Sequence, residues 1–577
     1  MNQLYPVYTA EAECQDCYKC VRQCPAKAIK VENGRANVIP ELCVGCGHCV
    51  QVCPAGAKKV RNDLGRLKQL LHDKEKVFVS LAPSWMGEFR NVPAEKMIAV
   101  LLKLGFAGVS ETALGAQQVS AALAQSLSDE KRGLCISSAC PAIVDYIRKY
   151  FPEYAENITP VLSPVLAHCK MLRQKYGNDI GVAMIGPCIA KKNEADAHPE
   201  LLDIVLTFKD LRKWMEEECL DFESVQEGDF AFVPDRAEEG SAYPVEGGML
   251  DNIKAYEGAE HIKGITLTGI EAIERILDSL NMGDIEDLVF VEALACRGGC
   301  VNGPCGKWKD AELVGRMKTL NNVEFPEKFL RRKPEIDMKE EYSGAKASAA
   351  SASEEAMGNA LSQVGKFTSD DELNCGGCGY ETCRNFAQAL INKKAEPAMC
   401  VSYLRNQAQK KANGLLRCIP GGVVIVDAEL KIVECNEYFA NMFDAGTAYA
   451  YEARPGLKGA LIEKIVPLAK FIHSVLDSGE DVTREFYRVG KRLLNVTVFS
   501  IEPEQVAGLI IMDVTGAEIR RKQIAERARK VIDKNLTAVQ EIACLLGEHV
   551  ADTEILLRSI ADDFGSDDAT GKKARHE

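Results

Sequence analysis

The sequence predicts a multidomain protein of mixed α+β and α/β class, and three observations carry that prediction. The chain has 577 residues, whereas single hydrophobic cores rarely grow beyond about 250–300. Its 23 cysteines are bunched, which marks compact cysteine-rich modules near 10–60 and 375–400. Between 76 and 325, apolar β-rich runs (Lys76–Leu81, Gly181–Ile185 and Leu288–Ala293) alternate with helical stretches, the pattern of a largely parallel sheet. The expected order is a cysteine-rich module at 1–60, an α/β domain at 61–330 and a linker at 331–365. A second cysteine-rich domain follows at 366–412, then a strand-rich domain at 413–515, a helix at 516–565 and a polar tail at 566–577.

Composition narrows the partners. A net charge of -14 with no basic block argues against a generic nucleic-acid surface. The stretch from Met1 to Cys14 lacks the basic and apolar regions of a signal peptide, and no apolar run approaches the roughly 20 residues that span a bilayer. The expected location is therefore cytoplasmic, with neither nucleic acid nor membrane as partner. In a reducing compartment so many cysteines point to metal binding rather than disulfides.

In the first module Cys14, Cys17, Cys20 and Cys24-Pro25 form C-x2-C-x2-C-x3-C-P, and Cys43, Cys46, Cys49 and Cys53-Pro54 repeat it 29 residues later. This duplicated spacing resembles the bacterial ferredoxins with two 4Fe-4S clusters, in which the fourth cysteine of each run serves the other cluster. The resemblance implies that Cys14, Cys17, Cys20 and Cys53 hold one cluster, and Cys43, Cys46, Cys49 and Cys24 the second. Structural zinc is the alternative, but a tetrahedral zinc site does not call for this duplication.

Three further motifs lie where predicted strands of the α/β domain end, the usual place for a site in an open sheet. They are Ser137-Ser138-Ala139-Cys140-Pro141, the segment Pro187-Cys188-Ile189-Ala190-Lys191-Lys192-Asn193-Glu194, and Glu292-Ala293-Leu294-Ala295-Cys296-Arg297-Gly298-Gly299-Cys300. In order and spacing they resemble the signature segments of the FeFe-hydrogenases over roughly residues 76–325. That resemblance implies a two-lobed domain holding an H-cluster, a 4Fe-4S cubane joined to a diiron subsite with CO, cyanide and a dithiolate bridge. Cys140, Cys188, Cys296 and Cys300 would bind the cubane, with Cys300 bridging, and Lys191 would hydrogen-bond a cyanide. Ala82, Pro83, Ser84, Gly247 and Gly248 would line the cofactor. H2 and protons would be the substrates, and hydrogenase maturation proteins would be partners.

The departures matter equally. Ala139 stands where catalytic members carry a proton-relaying cysteine, and a methyl group carries no proton. The segment Gln117–Gln125 lacks the acidic pair expected of the relay, and Thr159 stands in place of its serine. Gly186 and Leu294 replace methionines, and Val165 replaces a glutamine. The tail Asn302-Gly303-Pro304-Cys305 has an extra thiol without an assigned role. Acid–base relays supply about 10²–10⁴ in rate, so slow turnover is expected.

Cys375, Cys378, Cys383 and Cys400 form C-x2-C-x4-C-x16-C, similar to a small 4Fe-4S domain of anaerobic redox proteins; zinc suits four cysteines equally well. Residues 415–515 resemble a PAS domain, with opening strands at Gly421–Asp427 and Ile432–Asn436, closing strands at Leu493–Phe499 and Gly508–Asp513, and an Asp513-Val514-Thr515 exit. No tightly held PAS ligand is expected, since Cys435 lacks a photoreactive-cysteine motif and His473 reads as a surface residue. Ile532, Leu536, Val539, Ala543, Leu546 and Val550 alternate steps of four and three, a seam for a homodimer or partner helix, or for packing on the chain's own PAS domain. His549 lacks a following kinase domain.

Together the resemblances imply the PAS-containing, hydrogen-sensing branch of the FeFe-hydrogenases. Its partner would be an electron carrier or a signalling protein, a kinase or phosphatase. The alternatives are a ferredoxin-linked catalytic hydrogenase with a modified proton path, and a non-enzymatic iron–sulfur carrier without the diiron subsite.

Overall fold

The computed structural model describes residues 5–515 apart from 130–132, 226–227, 282, 284, 309–311, 327, 347–351 and 491, together with 530–539 apart from 533 and 537, and 559. Ala543, Leu546, Val550, His549 and the tail 566–577 lie outside the described residues, so of the predicted seam only Ile532, Leu536 and Val539, all helical, are described. Two compact units divide at Cys400 and Val401.

In the first unit, β1 (Val7–Thr9) pairs antiparallel with β4 (Lys58–Val60), and β2 (Ile29–Glu32) with β3 (Arg35–Val38). The short helices Lys19–Arg22 and His48–Val52 each follow the first cysteines of a run. The central domain holds two parallel sheets. One is β6-β5-β8-β9, built from β5 (Val77–Leu81), β6 (Gly108–Glu111), β8 (Gly181–Gly186) and β9 (Ile204–Thr207). The other is β10-β11-β7, from β7 (Gly133–Ile136), β10 (Lys263–Thr268) and β11 (Leu288–Leu294). Every residue of β5, β6, β8 and β9 is buried, Ser80, Ser110, Glu111 and Thr207 included, as in strands covered on both faces. The helices after the cysteine and serine loops start on proline: Pro141 follows Cys140 and Pro164 follows Ser163, positions where the missing N–H costs nothing.

A buried ion network braces the first sheet. Lys192 is wholly buried and donates to Asp63 Oδ2 (2.9 Å) and Val205 O (2.7 Å). Arg61 adds a two-pronged pair to Asp196 (2.7 and 3.0 Å).

The linker expected at 331–365 is corrected by the structure. Ile336 and Met338 are buried in the central core, and Lys339 bridges to Val161. Glu354–Gln363 is a helix capped by Ser353, and it packs through Ala360 and Leu361 on the helix Cys383–Ile391. Met357, Leu361 and Val364 stand at helical spacing, a signal hidden by the alanine- and serine-rich composition around them.

In the second unit the helix Val401–Cys418 comes first, occupying residues expected to close the 366–412 domain. A five-stranded antiparallel sheet follows, with β12 (Gly422–Asp427), β13 (Ile432–Cys435), β14 (Val482–Val489), β15 (Arg492–Glu502) and β16 (Val506–Asp513) in the order β13-β12-β16-β15-β14. Buried Asn436 ties it together: its Oδ1 accepts from Val423 N and Phe439 N, and its Nδ2 donates to Gly421 O and Leu416 O. Cys435 is buried in this core, whereas His473 is exposed.

Candidate metal centre

The two central sheets aim their C-terminal strand ends at one cavity. From β7 comes the Ser137–Pro141 loop, from β8 the loop carrying Cys188, and from β11 the loop carrying Cys296 and Cys300. Cys140, Cys188, Cys296 and Cys300 all line the cavity, with Lys191, Ala139, Ala82, Pro83 and Ser84. Its remaining wall is mainly alanine, proline, valine, methionine and leucine, which excludes water and strengthens electrostatic interactions inside.

Gly247 and Gly248 are corrected: neither lines the cavity. They open the helix Gly248–Lys254, and a side chain at Gly248 would overlap the Ala242 carbonyl. From this neighbourhood Tyr243, Pro244 and Met249 reach the cavity instead.

Burial pushes the Cys188 thiol up to about 11, and burial followed by the neighbouring thiols pushes Cys296 and Cys300 up further. Thiolates at this spot need compensating positive charge, which iron ions supply. Lys191 is buried, and its Nζ is held by Ser163 Oγ (3.1 Å) and Glu194 Oε2 (2.7 Å). Ser84 Oγ is buried without a partner, a hydroxyl left for something the cavity is to hold. Four convergent thiols, a fixed ammonium and an orphaned hydroxyl fit a cubane-plus-diiron group with anionic ligands.

The Thr159 and Ser138 hydroxyls stand 3.4 Å apart beside Ala139, too long for an efficient proton link, and Ala139 ends the line with a methyl. On the helix Ala113–Asp129, buried Gln117 donates to Glu239 Oε2 (2.9 Å).

The first module is seated against this site. Cys46 lines the same cavity. Gly45 and Gly47 have positive φ (68° and 80°); a Cβ there would come within 3.0 Å of Ala190 and within 2.5 Å of Pro304 respectively. Lys149 Nζ donates to Cys43 O (2.8 Å), and the Tyr150 hydroxyl meets Ala26 O and Leu42 O. Cys305 is buried beside Val7 and Ile189 at the same junction, a packing role that sequence reasoning missed because its neighbours come from distant segments.

Within the module, Cys14, Cys17 and Cys53 are the thiols whose charge acts on Cys20, while Cys24, Cys46 and Cys43 act on Cys49. The fold thus interleaves the two runs. Around 375–400, Cys375 and Cys400 act on Cys378, while Cys383 packs on Ala360, Leu361 and Ala387. This segment grips the first module: Val31 N donates to Lys394 O (2.8 Å), and Glu396 takes Asn33 N (2.6 Å) and Gly34 N (3.3 Å). Among the described residues, no three His, Cys, Asp or Glu side chains are gathered for a single metal ion.

Residues 75–304 match the family model for the iron only hydrogenase large subunit, C-terminal domain. The chain is an iron-only hydrogenase-like protein. Residues 6–54 match a 4Fe-4S dicluster domain and 371–402 a putative Fe-S cluster domain, so iron–sulfur domains flank the hydrogenase-like one. The chain is 28% identical over 366 residues to the periplasmic Fe hydrogenase large subunit of Nitratidesulfovibrio vulgaris, covering 52% of this chain and 86% of that protein. To iron hydrogenase 1 of Clostridium pasteurianum it is 24% identical over 320 residues, covering 45% and 56% respectively. A solved variant of the FeFe-hydrogenase HydA1 from Chlamydomonas reinhardtii is 17% identical, with a TM-score of 0.40, over 50% of this chain and 100% of that one. Among the described residues, no helix is long and apolar enough to cross a membrane.

Proposed function

We propose that the chain is a sensory FeFe-hydrogenase, which binds H2 and interconverts it slowly with protons and electrons. The observation carrying this reading is a single cavity that keeps four thiols and Lys191 while presenting Ala139 where a proton relay would stand. When bound there, an H-cluster would supply the metal chemistry that splits hydrogen. Cys140, Cys188, Cys296 and Cys300 would hold it, Lys191 would orient its anionic ligands from a fixed position, and the Ser84 hydroxyl would supply a further hydrogen bond. Two ferredoxin-type 4Fe-4S clusters in the first module would exchange electrons with the site through the Cys46 loop. A further 4Fe-4S cluster at 375–400 would take electrons from that module, on which its segment is docked.

The unit from Val401 onward would carry the redox state to a signalling partner as a PAS domain. Its strand order and the fourfold-bonded Asn436 support that assignment. A cytoplasmic location accompanies the proposal.

Infrared spectroscopy of the matured protein tests it. Bands of metal-bound CO and cyanide are expected, and their absence sinks the reading in favour of an iron–sulfur carrier. Turnover matching that of catalytic hydrogenases would sink the sensory role.

A further inference from the structure

One carboxyl group on the cavity wall has no place in the scheme above. Glu292 lies on β11, wholly buried, four residues before Cys296. It lines the cavity, and its two oxygens differ. Oε2 accepts from Leu250 N (3.1 Å) and the Thr266 hydroxyl (3.3 Å), with the amides of Met249 and Gly247 also directed at the carboxylate. Oε1 is buried with no partner.

Among the described residues, no cation is paired with Glu292. Tyr243 and Cys300 feel its charge, and Lys191 and Cys296 share the cavity, but Lys191 is already engaged by Glu194 and Ser163. A buried carboxylate without a counter-ion and with one bare oxygen favours its protonated form. Burial pushes this carboxyl up to about 7, against the backbone hydrogen bonds that pull it down. Thr266 then leads outward: β10 is the edge strand of its sheet, and Thr266 is half-buried there. The cavity, Glu292, Thr266 and the sheet edge thus form a short polar line, whereas the Thr159–Ser138 line stops at Ala139.

We propose that Glu292 handles protons at this site, taking a proton at Oε1 from the cavity and passing it through the Thr266 hydroxyl to water. The inference rests on the hydrogen-binding reading above. Splitting H2 yields two protons and two electrons. The electrons leave by the iron–sulfur clusters, and the protons leave one at a time as the Glu292 carboxylate becomes the acid and returns to the carboxylate. Rotation of the carboxyl group brings the protonated oxygen to Thr266, whose hydroxyl accepts that proton while releasing its own outward. Hydrogen formation runs the same steps in reverse.

Glu292 also caps the helix Gly248–Lys254, and the test must separate that structural role from proton handling. Infrared difference spectra of the matured full chain, H2 minus argon, are recorded in H2O and D2O above pH 7, where the resting Glu292 is a carboxylate. A protonated-carboxyl C=O band is expected to appear with H2, shift in D2O, vanish in Glu292→Gln and return in Glu292→Asp. It should persist in Glu111→Gln, which alters a buried glutamate that does not line the cavity. Thr266→Val should keep the band but slow its exchange into deuterium about tenfold or more.

A band that survives Glu292→Gln overturns the proposal, as does a wild type whose CO and cyanide bands respond to H2 while no carboxyl band does. If Glu292→Gln fails to load its cofactor, Thr266→Val decides, and unchanged exchange there overturns it. Missing CO and cyanide bands in the wild type overturn the hydrogen-binding reading itself, and this inference with it.

Discussion

Two glutamates, one on each sheet of the central domain, invite comparison. Glu111 ends β6 and accepts from Ala237 N (2.8 Å); Glu292 lies on β11 and accepts from Leu250 N. Burial pushes both carboxyls up to about 7. Glu111, however, belongs to a sheet whose strands are buried throughout and which is braced by Lys192, Asp63, Arg61 and Asp196. Glu292 belongs to a sheet with a half-exposed edge, and it has an oxygen to spare at the cavity. A perturbed pKa alone therefore does not mark a working residue. What separates the two is what each oxygen faces. One sheet is scaffold, supplying a single thiol, Cys188, on its loop; the other supplies Cys140, Cys296 and Cys300 together with the line to solvent.

That division can be broken experimentally. The largest effect belongs to the scaffold brace: Asp63 keeps Arg61 and Arg66 in Lys192→Met, but the buried network of Asp63, Asp196 and Asp210 is left one positive charge short, which should lower the stability of the hydrogenase-like domain by about 3–5 kcal/mol, read from its urea midpoint. A milder midpoint change than that of an exposed pair would erase the distinction between the sheets.

The pH dependence comes next. Between pH 4.5 and 7 the folded state holds a proton on each glutamate that the unfolded chain has released, so stability is greatest at low pH and falls as pH rises through this window. Each group contributes on the order of 3 kcal/mol to that fall. Glu111→Gln should flatten the slope of unfolding midpoint against pH, and an unchanged slope would show that Glu111 is not neutral in the folded state.

A smaller effect is expected at the cavity. Ala139→Cys adds a proton-carrying side chain, yet the long Thr159–Ser138 contact behind it stays and no acid stands on Gln117–Gln125. Hydrogen turnover should rise only slightly; full recovery would mean that the Thr159–Ser138 path is intact. Smallest of all, Lys263→Ala removes an exposed pair with Asp287 at the β10 edge (2.5 Å) and should leave the urea midpoint where it is. A measurable loss would argue that this edge is braced too.

The cysteine chemistry was legible because thiol ligands must recur at short, regular intervals, and the runs at 14–24 and 43–53 do so on their own. The strand ends were legible too, since β5, β8 and β11 are mostly apolar runs in which Ser80 and Glu292 are the polar exceptions. What escaped was long-range. Gly247-Gly248 looks like a cofactor segment in one dimension, but the fold turns it toward Glu292 and brings Tyr243 and Met249 to the cavity instead. Glu292 itself sat inside a motif read for its cysteines; its meaning depends on Leu250 and Thr266, which belong to separate elements. Residues 331–365 were misread because small residues suggest a tether, while Ile336, Met338 and Leu361 find partners that composition cannot show. The strand Val482–Val489 went unread as well, its mostly exposed, charged pattern lacking the apolar alternation that betrays a half-buried strand.

Gly45 and Gly47 set a condition on how this architecture can be rebuilt. They bind no iron, carry no charge and stand outside every ligand set, so a ferredoxin module from another protein could match all eight cysteines and still lack them. Grafted here, its cluster loop would strike Ala190 and Pro304 and sit back from the cavity wall. Exchange of electron-transfer modules among proteins of this kind is thus gated by two hydrogen atoms in place of side chains, and a compatible donor is recognised by its glycines before its cysteines.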